Sequence, residues 1–95
     1  MNLRLVQFSL GSGNQAAAEA LAKELVPAIR SQPGCQNCTF FGDHGPGDYG
    51  LVVLWDSREA ADAAAGVIGP ILMGGVRDAN GTMQGAPRLF DVLEP

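Results

Sequence analysis

Histidine occurs once in this sequence, as His44, and cysteine twice, as Cys35 and Cys38. Two thiols are too few for a disulfide scaffold, and with a single histidine they fall short of a zinc ligand set. Basic residues number six against ten acids, for a net charge of -4. Arg4, Lys23, Arg30, Arg58, Arg77 and Arg88 are scattered along the chain, so the clustered positive charge that nucleic-acid binding needs is missing. No uninterrupted run of about 18 apolar residues is present, so no membrane-spanning segment is expected. Nor does the N-terminus show an apolar stretch followed by a small-residue cleavage site. What is present is globular composition, 46% apolar and 17% charged over 95 residues, enough for one domain spanning 1–95. A core this thin would gain from a second subunit. A cytoplasmic protein is the expectation.

Alternation and helical spacing place six elements. Leu3 to Leu10 reads as a strand, with Arg4, Val6, Phe8 and Leu10 on one face and Leu3, Leu5, Gln7 and Ser9 on the other. The first set is largely apolar; the second turns polar toward its end. Gly11-Ser12-Gly13-Asn14-Gln15 turns into a helix, where Ser12 and Gln15 have the spacing of a capping box. Ala17, Leu21, Leu25, Ala28 and Ile29 recur at helical spacing, and Glu19 and Lys23 form an i,i+4 pair on the wet side. Pro27 is expected to kink this helix and Gln32-Pro33-Gly34 to end it. Asn37 to Asp43 and Tyr49 to Asp56 read as an antiparallel hairpin joined by His44-Gly45-Pro46-Gly47-Asp48. Asp56 and Glu59 can cap a second, alanine-rich helix, with Ser57 as the competing cap residue, and Gly69-Pro70 is expected to break it. A short turn at Ile71-Leu72-Met73 and a glycine-rich loop from Gly74 to Ala86 precede a last strand, Arg88 to Leu93.

Strand, helix, strand, strand, helix, strand in one domain predicts a ferredoxin-like βαββαβ fold of the α+β class, a four-stranded antiparallel sheet with helices on one face. Neither face of the strands is consistently polar. Phe8, Leu10, Phe41, Val52, Leu54 and Val92 are more apolar side chains than helices on one side would cover. A homodimer with two sheets packed face to face is therefore expected.

Gly11-Ser12-Gly13-Asn14-Gln15-Ala16 matches the G-x-G-x-x-A of dinucleotide-binding turns, but that motif needs a parallel βαβ unit and an acid about 20 residues on. The hairpin that follows supplies neither. Cys35-Gln36-Asn37-Cys38 is a C-x-x-C that precedes a strand rather than a helix, so its two side chains are expected on opposite faces as free thiols. His44, Tyr49 and Arg77 are the candidate bases or donors: His44 in the hairpin loop, Tyr49 opening the following strand, Arg77 in the glycine-rich loop beside Asp78, a segment placed to act as a lid. Each also has a plain structural reading as a surface or packing residue. Trp55 is the foremost binding candidate, because an indole stacks on flat rings and donates one hydrogen bond.

Four segments resemble the antibiotic biosynthesis monooxygenase family. They are the first strand with its glycine turn, Leu25-Val26-Pro27 through Gln32-Pro33-Gly34-Cys35, Asp48-Tyr49-Gly50-Leu51-Val52-Val53-Leu54-Trp55, and Asp56-Ser57-Arg58-Glu59-Ala60. The resemblance covers nearly the whole chain and implies a dimeric α+β barrel. It also implies oxygenation of polyketide or quinol-like aromatics without metal or flavin, the substrate anion reducing oxygen in an apolar cavity between sheet and helices. In the family's aromatic oxygenases a tryptophan ends the third strand, with an asparagine four residues before it and a tyrosine six after. Trp55 matches the first, while Leu51 and Ala61 stand at the other two positions. Haem-degrading members use an asparagine in the first strand and a histidine in the second helix; this chain has Gln7 in that strand and no histidine in that helix.

The combined expectation is a small-molecule oxygenase-like protein that needs no cofactor. Trp55, Leu51 and Ala61 would line the site for a small aromatic molecule, and no metal or haem would bind. The alternative is a dimeric binding or structural protein of the same fold without catalysis. Alternation puts Trp55 with Leu51 and Val53 on the cavity face, and Val52 and Leu54 on the face toward a partner subunit.

Overall fold

Strand β1 (Asn2–Ser9) is the centre of the sheet in a computed structural model that describes residues 1–95. On one side it pairs antiparallel with β3 (Asp48–Trp55), Val6 opposite Leu51 and Phe8 opposite Tyr49. Outside β3 lies β2 (Cys35–Asp43), the other arm of the hairpin. The remaining side of β1 is shared by two short strands, β4 (Thr82–Met83) against Phe8 and Ser9, and β5 (Arg88–Asp91) against Asn2 to Leu5. The fourth strand of the expected sheet is thus split, and every pairing is antiparallel. Helices α1 (Gln15–Arg30) and α2 (Arg58–Asp78) complete the ferredoxin-like α+β fold.

The face of β1 that carries Val6, Phe8 and Leu10 packs under the helices with Tyr49, Leu51, Val53 and Trp55 of β3, all buried. From α1 come Ala18, Leu21, Leu25 and Ile29; from α2 come Ala61, Ala64, Ile68, Leu72 and Val76. Both sets recur at three- and four-residue intervals, one stripe per helix. Phe8 and Leu10, counted above toward a dimer face, point instead at the helices. The open face keeps Leu3, Leu5, Val52, Leu54 and Phe90 half-buried and Phe41 exposed. Gly50 carries no side chain because the Phe41 ring lies over it; a Cβ there would come within 2.3 Å of that ring.

Four local expectations are overturned. Helix α1 starts at Gln15, which leaves Ser12 too far upstream to cap it. The Asn14 amide donates to the Leu10 carbonyl, and no side chain caps α1. The side chain of Gln15 donates to Glu19 over 3.0 Å, and Glu19 makes no ion pair with Lys23. Ser57, by contrast, caps α2 by accepting from the Ala60 amide at 3.1 Å.

The third correction is the largest. α2 does not stop at Gly69-Pro70 but runs on to Asp78, absorbing the turn and part of the loop expected there. A proline inside a helix costs about 3 kcal/mol. Burying Leu72 and Val76 beyond it returns about 1.5–3 kcal/mol each. Gly75 lets this second half approach α1, since a Cβ there would come within 2.4 Å of Leu21. An 18-residue window of α2 reaches a mean hydropathy of 1.2, so by length and composition this helix could cross a membrane. Its buried stripe here belongs to the protein core.

The fourth concerns the thiols. The β2–β3 register shifts between Cys35 and Asn37, so Cys35 lies opposite Trp55 and Cys38 opposite Val53. The bulge adds one residue and puts both cysteines on the core face rather than on opposite faces. Burial raises the thiol pKa of Cys35, and burial with the neighbouring Cys35 pushes that of Cys38 up to about 11. These are unreactive, protonated thiols.

Candidate functional site

The alanines of α2 leave a gap against the sheet. A cavity of about 140 Å³ lies between the core face of β1 and β3 and the middle of α2. Leu51, Val53 and Trp55 form its floor, and Ala61, Ala64 and Ile68 its roof. Arg4 and Val6 of β1 and Pro87, between β4 and β5, also reach it. The walls are almost wholly apolar, with two exceptions.

The first exception is Trp55. Its residue is 3% exposed, and its indole Nε1 has no hydrogen-bond partner. A buried donor left unpaired costs about 1–3 kcal/mol, and buried polar groups in folded proteins are nearly always bonded. The second is Arg4, whose Nη2 donates to Asp62 on α2 at 3.3 Å, the sole ion pair in the chain. Trp55, Leu51 and Ala61, named from the sequence, all line this one cavity.

The other three candidates lie elsewhere. His44 and Tyr49 meet at the hairpin end, where His44 Nδ1 is 2.7 Å from the Tyr49 hydroxyl. They line a separate groove against α1 with Glu19, Phe40 and Phe41. Arg77 is on the last turn of α2, in a third groove with Met73 and Asn80. It is therefore helical rather than part of a lid. Sequence reasoning missed Arg4, although a cation in phase with Val6, Phe8 and Leu10 was the available signal. It also missed Ile68, and it missed Leu72 because the helix was expected to break at Gly69-Pro70 before completing the cavity wall.

The sequence profile of the antibiotic biosynthesis monooxygenase family matches residues 1–66. The chain belongs to this family. No curated protein is a significant match to its sequence. Among solved structures, a Deinococcus radiodurans protein assigned to the same family superposes with a TM-score of 0.82 at 19% identity, covering 100% of this chain and 95% of the other. SnoaB, a cofactor-independent oxygenase from Streptomyces nogalater, gives a TM-score of 0.75 at 16% identity, covering 99% and 94%. A MhuD variant with two manganese protoporphyrin IX bound per active site gives 0.72 at 22% identity, covering 100% and 97%. At these identities the likeness is one of fold.

A porphyrin does not fit the residues present here. The one histidine faces Tyr49 in another groove, and a 140 Å³ cavity is the size that takes a single benzene-sized ring. No cluster of three metal-ligating side chains forms anywhere in the chain.

Proposed function

We propose that this family member takes a single-ring hydroxylated aromatic into the Trp55 cavity and oxygenates it without a cofactor. The observation that carries the reading is the buried, unpaired indole N–H of Trp55, a residue lining a hollow whose other walls are apolar except for Arg4. A phenol or quinol oxygen supplies the acceptor that the protein does not, and the flat ring suits apolar walls. The reaction balances without an outside reductant: the phenol gives up two hydrogens, one oxygen atom of O₂ stays on the ring, and the other leaves as water. The small volume favours one ring over the fused rings of a polyketide.

A dimeric binding protein without catalysis is the second reading. The absence of any carboxylate or imidazole among the cavity-lining residues favours it, since Leu51 and Ala61 offer no proton acceptor. In both readings the protein is a cytoplasmic homodimer joined through the open sheet face, around Leu5, Val52, Leu54 and Phe41. Light scattering at micromolar concentration should give the mass of two chains; the mass of one would end that part of the proposal.

The deciding measurement is oxygen consumption with a panel of single-ring phenols and quinols, run beside Trp55→Phe. Uptake that Trp55→Phe abolishes supports the oxygenase. Binding without uptake leaves the binding protein. A panel that neither binds nor reacts removes both.

A further inference from the structure

Resting on the cavity reading above, we infer that Arg4 selects a ring bearing a negatively charged oxygen, with Asp62 as the counter-ion that such a ligand displaces. Arg4 is the only charged side chain on the cavity wall. Its side chain is 19% exposed, whereas that of Asp62 is 62% exposed. The Arg4 side chain is thus mostly covered, its stem against the cavity wall, while the bond to Asp62 lies at the surface. That pair is weak by position, because a carboxylate so well hydrated gains little from one contact. The bond to Asp62 is also the only side-chain hydrogen bond Arg4 makes, out of five donors on the group. The remaining donors of a residue that lines an apolar hollow are free for a ligand, and there a charge-assisted bond is stronger than in water.

An aromatic held by its ring between Leu51 and the α2 alanines can present one oxygen to this cation. Trp55 pairs with Arg4's neighbour in the sheet: it lies opposite Asn2, and Val53 lies opposite Arg4, so the indole and the guanidinium reach the same hollow from adjacent strands. Two donors, one neutral and one positive, with no carboxylate on the cavity wall itself, favour an ionised phenol over a neutral one once Asp62 is displaced. Arg4 is a specificity-determining residue in this scheme and needs no proton transfer of its own.

The test uses 4-nitrophenol, whose visible absorption reports its ionisation, and phenol as the neutral comparison, with Trp55 fluorescence reading occupancy. Bound 4-nitrophenol should be the yellow anion at a pH where the free compound is mostly neutral. Arg4→Met should weaken binding of the anion about tenfold or more and leave phenol affinity unchanged. Asp62→Asn should tighten the anion by up to about fivefold, the opposite of what removing a structural salt bridge would do. A bound probe that stays neutral, or an Arg4→Met variant that weakens phenol and nitrophenolate equally, overturns the inference and leaves the cavity reading standing. Failure of phenol to bind at all overturns both. Should Arg4→Met not fold, the probe's ionisation on the wild type and the Asp62→Asn titration decide the matter.

Discussion

At the hairpin end of the core, Phe8, Phe40 and Tyr49 meet ring to ring, with centroids 5.9–6.2 Å apart, and His44 closes the cluster over Tyr49. At the opposite end, Trp55 shares a hollow with Ala61 and Ala64. The same sheet floors both regions, but α1 covers the first and chiefly α2 the second, and the side chains they supply differ in size. Unfilled space is costly in a protein interior. At about 24 cal/mol per Å³, a cavity of 140 Å³ forgoes about 3 kcal/mol of packing. That is a large share of a small domain's stability. The aromatic end is therefore the better packed, and the hollow end is where packing has been given up.

Substitutions can break this contrast in either direction. Phe8→Ala, at a position that is fully buried, should lose about 3–5 kcal/mol in denaturant unfolding, because it makes a second hollow in the packed end. Tyr49→Phe removes the hydroxyl partner of His44; it should lose about 1 kcal/mol and leave phenol binding untouched. An equal loss of ligand affinity would show that the two ends communicate. Ala64→Leu fills the hollow. It should change stability by less than about 1.5 kcal/mol while abolishing phenol binding. A variant that still binds phenol would move the binding site elsewhere.

The smallest effect is confined to alkali. The Cys38 thiol ionises near 11 when folded against 9.0 for the free thiol, so the folded state holds its proton longer than the unfolded one. The sign follows: its contribution to stability is complete below 9.0 and is lost as pH rises toward about 11. Chemical unfolding across that range should show a decline that Cys38→Ala flattens.

Element order, strand faces and the position of Trp55 were legible in the sequence because each rests on a short-range period. Alternation along Leu51, Val53 and Trp55 survives in any context that buries one face. The two larger misreadings arose where packing beyond the local pattern outweighed a local rule, while those at the start of α1 came from Asn14 and Gln15 bonding locally in another way. Gly69-Pro70 reads as a helix end, but Leu72, Val76 and the Gly75–Leu21 contact carry α2 past it. Cys35 and Cys38 read as facing apart, but a bulge that no residue pattern announces reverses one of them. The cavity itself was expected from the family resemblance and not from any residue pattern. An alanine-rich helix either approaches a sheet closely or stands off from it, and the short side chains themselves do not say which. Arg4 was readable in phase but was passed over as one of six scattered cations.

Because β1 lies between β3 and β5, the two ends of the chain lie side by side. The Val92 amide donates to the Met1 carbonyl at 3.0 Å, and the Asn2 side chain bonds Asp91 at 2.9 Å. During synthesis, β1 would leave the ribosome well before β5 and wait for it until the four elements from α1 to α2 and the β4 strand had followed. Until then one edge of β1 is open, and its pairing with β5 has to close a loop nearly as long as the molecule, a slow kind of contact to form. The same adjacency makes the molecule nearly circular. A short linker joining the two ends, with new ends cut in the exposed His44-Gly45-Pro46 turn, would keep every strand pairing and turn the waiting strand into an internal one.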